Sequence, residues 1–387
     1  MSRIYLDHAA TTPMVPEAVE AMTRELTRVG NASSLHASGR FARRVVEESR
    51  EAIAAQVGAQ PTELIFTSGG TESDNLAIKG AFWSGIEVGR SRVATSAIEH
   101  HAVLDSVAWL GKSAAAEVGY IPVDPAGRIE VSALADAVDA RTALVSVMWA
   151  NNEVGTLQPV RQVAAIAAEY GAVSHSDAVQ AVGHIEVNFA ASGLDLLSFT
   201  AHKLGGPYGI GALLARRELR LAPILHGGGQ EREIRSGTLD VAATAGFAAA
   251  LEVASRNRVW EEQRLRALRS DLIRAVLAAV PSAVPYGTSV ERERLPGIAS
   301  FGFPGCAADA ILMLLDSAGI DCSTGAACSA GVSQPSHVLL AMGVSEADAR
   351  SVLRFSLGHS STTADVRALA TALPEAVQRA KAAAGFA

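Results

Sequence analysis

The chain has 387 residues, 49% of them hydrophobic and 19% charged. That content can bury a large core, suits two domains, and excludes an intrinsically disordered chain. The 33 basic and 40 acidic residues give a formal charge of -7, which argues against a general nucleic-acid binder, because such proteins carry a basic stripe.

The opening residues, MSRIYLDHAA, lack the apolar stretch of a secretory signal. No apolar run approaches the length of a membrane span, about 18 residues. Short apolar runs then alternate with helical patterns. The candidate strands are Leu64–Thr67, Arg92–Ser96, Ala143–Met148, Ala172–Ser176, Leu194–Phe199 and Ile210–Leu214. Their near-continuous apolar character predicts buried parallel strands. Glu72–Trp83, His101–Leu110 and Val160–Tyr170 read as the intervening helices. This alternation predicts an α/β domain over 15–255. From about residue 256 the texture changes: Val259–Val280 reads as a long amphipathic helix, followed by shorter α+β patterns. A smaller domain is expected over 256–387, with residues 1–14 as an arm packed with it.

Three cysteines are present, Cys306, Cys322 and Cys328, with no CxxC. So few thiols predict neither a disulfide framework nor a zinc site, and they suit a reducing, cytoplasmic compartment. Cys306 and Cys322 read as packing residues. Cys328 differs, because it lies in the small-residue stretch Ser323–Ser336, expected to be a mobile loop. There a thiol can reach a site and leave it.

Several strand ends carry polar groups. Ser68-Gly69-Gly70-Thr71-Glu72 follows a strand and opens a helix. Glycines and free helix N–H groups suit an anion there, although a plain capping turn is an equal reading. No Walker loop occurs. Lys203 follows another strand in Thr200-Ala201-His202-Lys203, where α/β sheets place their ligands, and a desolvated lysine is an amine nucleophile. Asp177 ends a third strand. Buried there it needs a cation, and a protonated pyridine nitrogen would serve; an N-cap is the plainer reading. His100 is placed to stack on a planar ring and to shuttle protons. Asn152 and Gln180 can orient a ring hydroxyl. Arg354 can clamp a carboxylate, or form an ordinary salt bridge within the sheet.

Taken jointly, these motifs resemble the cysteine desulfurases of the NifS/IscS type, in the class-V aminotransferase family. The resemblance runs from Tyr5 to about Leu357. It rests on Asp7–Pro13, Gly70-Thr71-Glu72-Ser73-Asp74-Asn75, Asn151-Asn152-Glu153-Val154-Gly155, His202-Lys203 and Arg235-Ser236-Gly237-Thr238. It implies the fold type I of pyridoxal 5'-phosphate (PLP) enzymes, an α/β large domain with a mostly parallel sheet plus a smaller α+β domain. It implies PLP bonded to Lys203, paired through its ring nitrogen with Asp177 and stacked under His100. Asn152 and Gln180 would lie near the ring hydroxyl. Gly70, Thr71, Thr200 and His202 would hold the phosphate, joined by Thr238 of the second subunit of a homodimer. Asn31, Asn152 and Arg354 would hold the carboxylate of L-cysteine, and Cys328 would accept its sulfur.

The chain departs from the family pattern at Ala32, where Pro is usual, at Thr200-Ala201, where Ser-Gly is commoner, and at His359, where Arg is frequent. It also stops soon after its last helix, so docking of an iron–sulfur scaffold or other sulfur acceptor is the least supported expectation. A selenocysteine lyase or a class-V aminotransferase shares the fold. A non-catalytic cluster-assembly scaffold is the alternative of another class, and the presence of Lys203 speaks against it.

Overall fold

A computed structural model describes residues 3–325 and 334–385. The elements in chain order begin with β1 (Ile4–Tyr5), α1 (Pro16–Leu26), α2 (Ala37–Gln56), β2 (Leu64–Thr67), α3 (Gly70–Ile86), β3 (Arg92–Ser96) and α4 (His101–Ala114). Next come β4 (Glu117–Ile121), α5 (Val131–Ala137), β5 (Thr142–Ser146), α6 (Val160–Glu169), β6 (Val173–Asp177), α7 (Phe189–Ser192), β7 (Leu196–Thr200) and β8 (Gly211–Ala215). The remainder is α8 (Val241–Ala279), β9 (Val284–Tyr286), β10 (Ile298–Gly302), α9 (Ala308–Ser317), β11 (Ile320–Asp321), β12 (Ser323–Thr324), α10 (His337–Ala341), α11 (Glu346–Ala349), β13 (Val352–Ser356) and α12 (Thr363–Ala384).

The large sheet has seven strands in the order β2-β8-β7-β6-β5-β3-β4. Its strands β2, β5, β7 and β8 are buried along their whole length, which is why they read as unbroken apolar runs. One expectation needs correcting. β8 runs antiparallel to both its neighbours, β2 and β7, so the sheet is mostly but not wholly parallel. Glycine permits this tight return: a Cβ on Gly211 would lie 2.7 Å from the Cα of Gly69.

A second sheet, β12-β13-β10-β9, is antiparallel and packs with α9 and α12 around Phe301, Phe303 and Phe355. The 39-residue α8 joins the two cores, with Phe247 and Leu251 in the first and Leu268 and Leu272 in the second. It starts well before the Val259 expected from its amphipathic half, because its first turns are Ala-rich and buried. Strand β1 pairs in parallel with β11, so the start of the chain lies on the C-terminal sheets. Among the described residues, no helix is long and apolar enough to cross a membrane.

Candidate active site

Parallel strands share a direction, so the carboxyl ends of β2, β3, β5, β6 and β7 open on one edge of the sheet. The residues with chemistry collect along this edge. Ligands of open α/β sheets bind at such edges because the chain must turn there, leaving backbone and side-chain groups free.

Asp177 is the last residue of β6 and is 5% exposed. Its Oδ1 accepts the Val179 N–H at 2.8 Å. It forms no ion pair among the described residues. Burial pushes its acid up to about 6, and the charge of Lys203 acts the other way. Asp177 caps no helix; a turn follows it.

Lys203 ends a single helical turn that follows the adjacent strand β7. Its Nζ donates to the carbonyls of Ala9 at 2.6 Å and Ala10 at 2.8 Å. The Ala9 carbonyl also accepts from Gln180 Nε2 at 2.9 Å. The start of the chain therefore lies across the site and holds the lysine head. Its own path is fixed by the Thr12 N–H to His202 carbonyl bond, and by His202 Nδ1 lying 3.2 Å from Thr11 Oγ1. The His202 ring stacks on Tyr208, and burial holds it down to about 4.

His100 caps α4, its Nδ1 accepting from the Ala102 N–H at 3.1 Å. Burial, then the nearby Lys203, pushes it down to about 4. The ring is therefore neutral at pH 7, with its hydrogen on Nε2 because Nδ1 is the acceptor.

The anion cradle is built at the start of α3. Gly69 has φ near 150°, a backbone state that other residues rarely adopt. A Cβ on Gly70 would lie 2.8 Å from Val179 Cγ2. No side chain caps this helix, and Thr71 is exposed in its first turn, so the capping-box alternative is not realised. Instead Ser73 Oγ donates back to the Gly69 carbonyl. The Thr200 hydroxyl donates to the Ile210 carbonyl and faces Gly69. Glu72 accepts from the Ser68 N–H and from Arg235 Nε at 2.8 Å, and so ties the loop of Thr238 to this cradle. Thr238 itself is exposed beyond Gly237.

On the opposite rim stands Arg354 of β13, 4% exposed. Its fork is engaged: Nη2 pairs with Asp7 Oδ1 at 2.9 Å and Nη1 donates to the Asn152 carbonyl at 2.9 Å. The salt bridge open to it in the sequence is therefore present, and it brings Asn152 and Arg354 together. Asn31 is exposed, and the hydrogen bonds described for it are local, to the Ser33 and Ser34 N–H groups. Cys328 lies outside the described residues. Cys306 is buried, and Cys322 packs against the second core, where burial pushes its thiol up to about 12. His359 donates to the Pro13 carbonyl at 2.9 Å, and Ala32 is buried in the first core.

Four further buried polar groups lie beside the site; Asp74 and Glu153 fall in the motifs quoted above, whereas Glu99 and His175 escaped the reading of the sequence. Asp74 and Glu99 lie near Asp177, His175 lies two residues before it, and Glu153 receives the Ser336 hydroxyl. A Cβ on Gly325 would lie 2.5 Å from Glu153 Oε2. Polar residues inside apolar strands are the signal that could have found His175.

The geometry thus offers an anion seat, a buried carboxylate awaiting a cation, and a lysine between them. The model of the aminotransferase class-V family matches residues 4–369. The chain belongs to that family. Within it, the chain is 54% identical to the IscS-like cysteine desulfurase of Mycobacterium tuberculosis, covering 98% of both chains. It is 44% identical to a cysteine desulfurase of Gluconacetobacter diazotrophicus, over 97% of this chain and 93% of the relative. Among solved structures, a NifS-like protein matches with a TM-score of 0.88 at 33% identity, covering all of both chains. A structure described as SspA in complex with cysteine matches with a TM-score of 0.80 at 31% identity, over 91% of this chain and 98% of that one. The NifS/IscS-like cysteine desulfurases are thus the branch of the class-V aminotransferases to which this chain is similar along nearly its whole length. The α/β fold with its mostly parallel sheet is the fold of that family.

Proposed function

We propose that the chain is a PLP-dependent cysteine desulfurase that converts L-cysteine to L-alanine and retains the sulfur as a persulfide on Cys328. The observation carrying this reading is the convergence of Lys203 and a buried Asp177 that forms no ion pair among the described residues, at the ends of adjacent strands. The cradle fits the cofactor too: Gly69 holds a backbone state that brings the turn in close, a Cβ on Gly70 would press on Val179, and no side chain caps the helix N–H groups.

Gly70, Thr71, Thr200 and His202 would hold the phosphate, with Thr238 from the second subunit of a homodimer. Asp177 would face the ring nitrogen, His100 the ring face, and Asn152 and Gln180 the ring hydroxyl. When bound, PLP supplies a sink for the electron pair left on the substrate α-carbon. Lys203 would hold the cofactor and then move the α-proton. His100 would accept the substrate thiol proton on Nδ1, giving up its hydrogen bond from the Ala102 N–H. Asn31, Asn152 and Arg354 would orient the substrate carboxylate. The Cys328 thiolate attacks the substrate sulfur: an S–S bond forms, the substrate C–S bond breaks, and its electron pair stays with carbon, which is protonated to give alanine. Residues 15–255 would form the cofactor-binding unit. Residues 256–387 would form the smaller one, together with the arm 1–14. The persulfide would pass to an iron–sulfur scaffold or another acceptor protein in the cytoplasm.

The test is Cys328→Ala. This variant should keep the absorbance of lysine-bound cofactor and lose about a hundredfold or more of alanine formation from L-cysteine. Alanine formed at the wild-type rate would remove Cys328 from the reaction.

A further inference from the structure

Behind the strand ends lies a polar chain that the proposed reaction does not use. Ser146, His175 and Ser198 come from the adjacent strands β5, β6 and β7. Both ring nitrogens of His175 are engaged, Nδ1 with Ser146 Oγ at 2.8 Å and Nε2 with Ser198 Oγ at 2.9 Å. Asp74 of α3 comes down onto the same spot. Its Oδ1 lies 3.6 Å from His175 Nε2 and lacks a hydrogen-bond partner among the described residues. All four residues are buried.

Side chains two apart on a strand share a face, so His175 and Asp177 stand side by side on β6. Asp177 is also the register partner of Ser198. The chain therefore reaches the carboxylate through its immediate neighbours. Burial keeps His175 neutral, down to about 3. Burial, and then the charge of Asp177, raises the acid of Asp74 well above its ordinary value. Two carboxylates in one dry site do not both ionise readily.

We propose that Asp74 and the Ser146–His175–Ser198 chain form a positioning device for Asp177, in which a protonated Asp74 leaves the negative charge on Asp177, facing the pyridinium ring of the cofactor. This deepens the function proposed above and rests on it. The titratable groups around Asp177 are Asp74 from α3, Glu99 from the loop after β3, His175 on its own strand and Lys203 after β7.

The test is an equilibrium titration of apoprotein with PLP, together with a pH titration of the absorbance of bound cofactor, on wild type and three variants. Asp74→Asn mimics the protonated acid and should bind PLP within about twofold of wild type. His175→Leu removes both hydrogen bonds and should weaken PLP binding about tenfold and shift the midpoint of the absorbance titration, as loss of a supporting shell commonly does. Ser146→Ala disturbs only the far end. It should shift the same midpoint in the same direction by less, and it keeps the test decisive if His175→Leu does not fold. A purely structural chain would lower melting temperatures and leave affinity and midpoint unchanged, which would overturn the proposal. A tenfold loss in Asp74→Asn would also overturn it, by showing that Asp74 acts as an anion. If wild type itself gives no PLP absorbance, the failure lies with the proposed function.

Discussion

The two rims of the site treat buried charge in opposite ways. On the C-terminal sheet, both Nη groups of Arg354 are engaged, by Asp7 and the Asn152 carbonyl. At the end of β6, Asp177 is equally buried yet forms no ion pair among the described residues and accepts a backbone N–H, with Lys203 and two further acids nearby. A paired buried ion holds a fold together, whereas an unpaired buried carboxylate is costly unless a cation arrives from outside. The difference marks the β6 end as the part of the site built for a ligand, and the Arg354 rim as the part that also fastens the start of the chain.

Removing the unpaired charge gives the sharpest contrast. Asp177→Asn should weaken PLP binding about a hundredfold while leaving the melting temperature of the apoprotein unchanged or higher, because a buried charge is lost. Equilibrium titration and thermal melts would check both, and a lower melting temperature with unchanged affinity would erase the distinction between the rims. Arg354→Ala should do the reverse. Leaving Asp7 without its partner should destabilise the apoprotein by about 2 kcal/mol, measured by urea unfolding. The substrate role proposed for Arg354 adds a rise in KM.

The smallest expected effect concerns Glu99. Its carboxyl accepts the Met148 N–H at 2.8 Å, and burial raises its acid to about 8. Its folded-state value is thus above its unfolded one. The folded state then binds the extra proton, so stability from this group is lost as pH rises from about 4.5 towards 8. Histidines 8, 100, 175 and 202, all held at about 3 to 4, work in the other sense. Their stability is lost as pH falls below 6.5. Between pH 6.5 and 8 the Glu99 slope should stand alone among these groups. Glu99→Gln should flatten it by on the order of 1 kcal/mol, read from melts across that window.

Much of this was legible in the sequence, and for a physical reason. Strands buried on both faces must be apolar throughout, so β2 and β3 were found to the residue. Strand β4 was missed because Glu117–Ile121 is an exposed edge, with mixed composition. The direction of β8 left no trace, because a buried strand reads the same in either sense. Lys203, Asp177 and His100 stood out because each is a polar group at a strand end. Asp74 and His175 did not, because their meaning arises only when α3 lies over β6, which no spacing along the chain announces. The Asp7–Arg354 pair is separated by 347 residues and was equally hidden.

That separation bears on how the protein is made. The carbonyls that hold Lys203 belong to Ala9 and Ala10, which are made before any strand of the large sheet. The partner of β1, strand β11, and the arginine that fixes Asp7 are made only after the whole of that sheet. A nascent chain that has already formed its large sheet still lacks the anchor for its own beginning. Such distant pairings close slowly, because loop entropy must be overcome before any contact rewards it. The lysine's setting is therefore completed only once Arg354 has been made, well after the sheet that carries Lys203.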